Sequence, residues 1–143
     1  MPTTKRIKLS YRESAVGGDV KTIPFVSDDA ALAAAQHIVL LIHGYNNDAE
    51  AAMKAYEGFH ARQGERDPHA RYGLGRSFVE IYWPGDGDWG IASFLFYMKS
   101  IRRAIQTAEA LAAFLVSRVA ITSRIDIVAH SMGCRFAFEL MRA

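Results

Sequence analysis

The chain has 143 residues, half of them hydrophobic and 22% charged, which is the composition of one folded domain and excludes a disordered chain. Seventeen Lys and Arg stand against fifteen Asp and Glu, so the net charge of +2 gives no electrostatic case for nucleic acid or an anionic membrane. A single cysteine, Cys134, excludes an internal disulfide framework and a multi-cysteine metal site.

Residues 1–8 lack the apolar core of a signal peptide, and no run reaches the ~18 apolar residues of a membrane span, so a cytoplasmic protein is expected. Residues 5–11 and 20–26 read as two strands joined by a turn at Gly17-Gly18-Asp19. The run His37-Ile38-Val39-Leu40-Leu41-Ile42 is continuous and β-rich, as in a strand covered on both faces. It leads into His43-Gly44-Tyr45-Asn46-Asn47, and Asn47 with Glu50 three residues on predicts a capped helix over about 48–61.

Residues 62–76 are polar and glycine-rich and read as loop. A fourth strand over 77–83 stops at Pro84-Gly85. Residues 86–98 have no clear period, and Trp89, Phe94 and Phe96, with Trp83 before them, are candidates for a cover over a substrate cleft. Ile101, Ala104, Ala108, Leu111, Leu115 and Val119 recur at helical spacing and predict a helix over 99–120. A fifth strand over 125–129 and a helix over 131–142 complete the order. Strand and helix alternate from residue 37 on, which predicts a single α/β domain over 1–143. Its sheet should be mostly parallel, with helices on both faces. Ligands of such sheets bind at the carboxyl ends of the strands, where loops 43–47 and 129–133 lie.

Ala129-His130-Ser131-Met132-Gly133 joins a buried-type strand to a helix, in the pattern of a nucleophile elbow with Ala in the first glycine place. Its turn would hold the Ser131 hydroxyl in the cleft on an unusual backbone; the competing reading is a serine that only caps the last helix. Gly44 would let the Tyr45 amide face the cleft and join the Met132 amide in an oxyanion hole. His43 reads as a turn histidine bonded locally, and His130 as a structural member of the elbow pointing away from Ser131. His60 and His69 read as solvated, and Cys134 as packed. No two histidines lie at i, i+4, so no metal is expected.

Together, His43-Gly44-Tyr45-Asn46, Trp83-Pro84 and Ala129-His130-Ser131-Met132-Gly133 resemble the α/β-hydrolase superfamily over roughly residues 36–142, in particular bacterial branches of uncharacterised function. The resemblance implies a cofactor-free, esterase-like serine hydrolase acting on a small acyl or ester substrate, with Ser131 as nucleophile and the Tyr45 and Met132 amides on the oxyanion. His43, Gly44, Ala129, His130 and Gly133 would support the two loops. In that superfamily an acid and then a histidine follow the serine. Here twelve residues follow Ser131, with no histidine and no further strand among them. The sequence therefore resembles the N-terminal part of a hydrolase lacking the C-terminal strands. A fragment, one half of a split protein and a degenerate form all fit. The alternative to an enzyme is a noncatalytic binding module that keeps the fold. The 125–129 strand edge would then be open to self-association or to a missing C-terminal segment.

Overall fold

In the computed structural model, residues 5–67, 75–86 and 96–143 are described. They form, in chain order, β1 (Lys5–Arg12), β2 (Val20–Val26), α1 (Asp29–Ala33), β3 (His37–Ile42) and α2 (Ala49–Arg66), then β4 (Ser77–Tyr82), α3 (Tyr97–Arg118), β5 (Arg124–Ala129) and α4 (Met132–Arg142). The strands make one sheet in the order β2-β1-β4-β3-β5. Only the β1–β2 hairpin is antiparallel; β1 with β4, β4 with β3, and β3 with β5 are parallel.

The alternation of side chains along the strands sorts the core into two layers. Ile38, Leu40 and Ile42 of β3 join Ile7, Leu9, Val79 and Ile81 on one face, under Leu32 of α1, Ala104, Ala108 and Leu111 of α3, and Phe136 of α4. Val39 and Leu41 point the other way and meet Phe78, Tyr82 and, from α2, Ala52 and Tyr56. A strand buried on both sides needs apolar residues at every position, which is why 38–42 shows no alternation. The alanines of α3 are what let that helix lie close to the sheet. Helices therefore cover both faces, as the alternating pattern predicts.

The differences from the sequence reading have local causes. α1 is a five-residue helix in a stretch where no element is predicted, too short to show a period; Asp28 caps it by accepting from the Ala31 amide at 2.8 Å. α2 is capped by Asp48, which accepts from the Ala51 amide at 2.8 Å, and not by Asn47. It also runs on to Arg66, through Gly64, whose place on the helix is open. Solvent-facing Gly inside a helix costs about 1 kcal/mol, which the flanking turns absorb. Among the described residues, no helix is long and apolar enough to cross a membrane.

Candidate functional site

Ser131 lies between the end of β5 and the start of α4 with φ 55° and ψ −126°, a conformation that non-glycine residues rarely adopt and that costs of order 1–3 kcal/mol. The packing around it imposes this. A Cβ on Gly133 would come within 2.6 Å of the Ile42 carbonyl oxygen and 2.7 Å of that of His43, so the first turn of α4 is pressed against the end of β3. The His130 amide donates to the Ile42 carbonyl at 3.2 Å and ties the other side of the turn to the same strand. The chain reverses within one residue, and Ser131 takes the strain. It occupies the N-cap position of α4, yet its side chain makes no capping hydrogen bond, and the residue is exposed. Ser131 is thus the N-cap residue by position only, without a side-chain cap. Ala129 faces the main core from the strand end.

Loop 43–47 leaves β3, the strand beside β5, so the two loops share one end of the sheet. They touch at Gly44. A Cβ there would lie 3.0 Å from Cβ of Ser131 and 3.1 Å from Nδ1 of His130, closer than nearly any side chain tolerates. Beyond it Tyr45 sets its ring edge-on to Tyr97 at 5.4 Å. Asn46 has φ 61° and donates its amide to the Gly85 carbonyl at 3.0 Å.

His43 is buried and stacks on Trp83, with ring centroids 5.5 Å apart. The Trp83 amide donates to its Nε2 at 3.2 Å, which fixes the proton on Nδ1, and Nδ1 donates to the Gly44 carbonyl at 2.9 Å. Its backbone is held as firmly: the amide donates to the Tyr56 hydroxyl at 3.0 Å, and the carbonyl accepts from the Trp83 indole at 3.0 Å. Burial pushes its pKa down to about 4, helped by the charge of Arg12 and opposed by the bond to Gly44 and the charge of Asp86. A neutral imidazole with both nitrogens engaged has no lone pair for a serine proton. The His43 ring is bonded within its own turn, to Gly44, and to Trp83.

Trp83 requires a correction. It is fully buried between His43 and Phe136 and belongs to the core, not to a substrate cover. Trp89, Phe94 and His69 lie outside the described residues. Phe96 is half-buried just before α3. His60 is not solvated: its Nε2 meets Glu80 at 3.0 Å. Glu80 also accepts from Arg6 at 2.7 Å. Burial alone would raise its pKa, but these two partners hold it below the usual carboxylate range. Cys134 is exposed rather than packed. His130 is exposed, and with Gly44, Leu41, Phe59 and Val128 it lines a cleft of about 290 Å³ on the α2 side of the elbow.

One feature beside the loop has no signature in the sequence. Arg12 and Asp86 form an ion pair at 2.6 Å with side chains 3% and 4% exposed. A charge at the end of a strand and another after Pro84-Gly85 look like ordinary solvated residues, and only the fold brings them together.

A mostly parallel sheet with helices on both faces, and a strained serine between a strand's carboxyl end and a helix, defines the class of the α/β hydrolases. The chain belongs to the family described as alpha/beta hydrolase of unknown function (DUF900), which it matches over residues 25–143. No curated protein and no solved structure matches it.

Proposed function

We propose that the chain carries the nucleophile and oxyanion loops of a serine hydrolase acting on a carboxylic ester or related acyl compound. The observation that carries this reading is Ser131, exposed on a strained turn with its hydroxyl unspent on capping. As the first residue of α4, Met132 has an N–H with no carbonyl partner within the helix, and it sits at the positive end of the helix dipole. With the Tyr45 amide from the adjoining loop it supplies the two donors for the oxyanion.

Ser131 Oγ attacks the acyl carbon and gives its proton to a general base. The bond to the alcohol breaks and the alcohol leaves with a proton. Water then cleaves the acyl-enzyme and regenerates the hydroxyl. The base is not His43, whose ring nitrogens are both engaged. Gly44 and Gly133 keep the loops close enough to share one oxyanion.

The test is labelling of the intact protein by a fluorophosphonate. Covalent modification of Ser131, lost in Ser131→Ala, is the expected result. A folded, intact protein that resists the reagent would instead favour a binding module on a hydrolase fold.

A further inference from the structure

We propose that Arg12 is the positioning residue of this site: paired with Asp86, its guanidinium holds loop 43–47 in place beside the Ser131 turn. The inference rests on the hydrolase reading. It concerns a residue outside the stretch that matches the family.

Arg12 closes β1 and is 5% exposed. Its Nη1 donates to the carbonyls of Trp83 at 2.9 Å and Asn47 at 3.3 Å. Its Nε donates to the Ser14 carbonyl at 3.1 Å, and its Nη2 to that of Ala15 at 3.0 Å and to Asp86 Oδ1 at 2.6 Å. The second Asp86 oxygen accepts from the Gly17 amide at 2.9 Å, and the Asp86 carbonyl accepts from Arg103 of α3 at 2.9 Å. One planar fork thus joins the β1–β2 turn, the end of loop 43–47 and the exit of β4. A lysine ammonium, a compact point charge, cannot span these acceptors.

The loop needs such a clamp. Asn46 sits at φ 61°, in the left-handed region that Asn enters more readily than most residues but still at a cost. Two backbone bonds hold the loop there: the Asn46 amide to the Gly85 carbonyl at 3.0 Å, and the Ala49 amide to the Ala15 carbonyl at 2.9 Å. Ala15 is itself held by Arg12, and Gly85 lies between Trp83 and Asp86, which Arg12 also binds. Loss of the guanidinium therefore loosens both anchors together. A buried ion pair is weak evidence for stability, because apolar residues of similar volume commonly serve as well. What the fork adds is geometry, and geometry at a donor loop acts on the transition state.

The experiment compares Arg12→Lys and the double variant Arg12→Met/Asp86→Leu with the wild type in the intact protein. The double variant leaves neither member of the pair behind as a lone buried charge, so it separates folding from positioning. Two quantities are read: hydrogen exchange of the Asn46 and Ala49 amides against those of Leu40 and Val79 in the sheet, and hydrolysis of a p-nitrophenyl ester. Protection of Asn46 and Ala49 is expected to fall at least about tenfold while the sheet amides keep theirs. In parallel, kcat should fall about 10²-fold with KM nearly unchanged, the effect of a donor displaced by about 1 Å. Unchanged loop protection, a loss confined to KM, or loop and sheet protection falling together in both variants would overturn the proposal. If a fluorophosphonate fails to label Ser131 of the folded wild type, the hydrolase reading falls; a labelled protein that does not turn this ester over leaves that reading standing. The exchange arm then decides the clamp alone, by the same criterion of loop against sheet.

Discussion

At the scale of single residues, the site is built from small groups and from one histidine kept neutral. His43 has an ordinary pKa near 6.5 in the unfolded chain and about 4 when folded, because burial disfavours its charged form. Between these values the unfolded state binds more protons than the folded one. Stability contributed by neutral His43 is therefore complete above about pH 6.5 and is lost as pH falls toward 4, by up to about 3 kcal/mol. Glu80 and Asp126, whose pKa values are both held low, lose their contributions as pH falls below the ordinary carboxylate values, so the loss between 6.5 and 4.5 is not theirs. We expect urea midpoints to drop across that interval and His43→Gln to flatten the slope. Gly133→Ala should destabilise by about 1–3 kcal/mol, since the new methyl meets two backbone carbonyls that cannot step aside. Thermal unfolding measures it, and an unchanged midpoint would mean that the elbow has slack. The unusual backbone at Ser131 and the crowding at Gly133 are legible in the elbow spacing, which states a steric need, whereas the close approach at Gly44 lies outside that spacing. The burial of Trp83 is not legible there, since a tryptophan beside Pro84 looks the same from the sequence whether it caps a cleft or fills the core.

At the scale of elements, strands and long helices could be read from their periods, while the caps and the one short helix could not. β3 and α3 announce themselves by an unbroken apolar run and by a stripe at three- and four-residue spacing. α2 starts one residue later than the Asn47 pattern predicts because Asn47 and Asp48 are both good caps, and the choice is made by tertiary contact. The Asn47 carbonyl turns to Arg12, which leaves Asp48 in the cap position. This yields a discriminating pair of variants. Asp48→Ala should cost about 1 kcal/mol through the lost bond to the Ala51 amide. Asn47→Ala should cost less, because any residue offers Arg12 the same carbonyl. Equal losses in denaturant melts would place the cap elsewhere. The Arg12–Asp86 pair belongs to the same scale: no local pattern marks two charges 74 positions apart that meet only once β1 and β4 pair.

At the scale of the whole molecule, the asymmetry of the sheet matters most. Both outer strands have one neighbour among the described residues, β2 with β1 and β5 with β3, but β2 carries Lys21 and Pro24 whereas β5 holds neither lysine nor proline. Among the described residues no strand pairs with its other side, and Ile125 is 40% and Val128 42% exposed on it. More exposed apolar side chains, Val116, Ile121, Phe138 and Met141, stand on α3, on the approach to β5 and on α4. Natural edges are protected by inward charges, Pro or Lys. Asp126 offers little of this, because its carboxylate is taken up by His37 of the neighbouring strand at 2.7 Å and by Arg124 at 3.0 Å. Those bonds hold its pKa low and neutralise the charge that would repel a second strand. We therefore expect a polypeptide of residues 1–143 to associate through β5. Light scattering should give a mass that climbs with concentration from the 15.9 kDa of one chain. Val128→Lys, which puts an unpaired cation on the edge, should return it to a monomer, whereas Val16→Lys, an exposed change in the β1–β2 turn at the opposite side of the sheet, should not. A mass that stays at one chain over the whole range, or one that Val16→Lys lowers as much as Val128→Lys, would show that the β5 edge is not the contact.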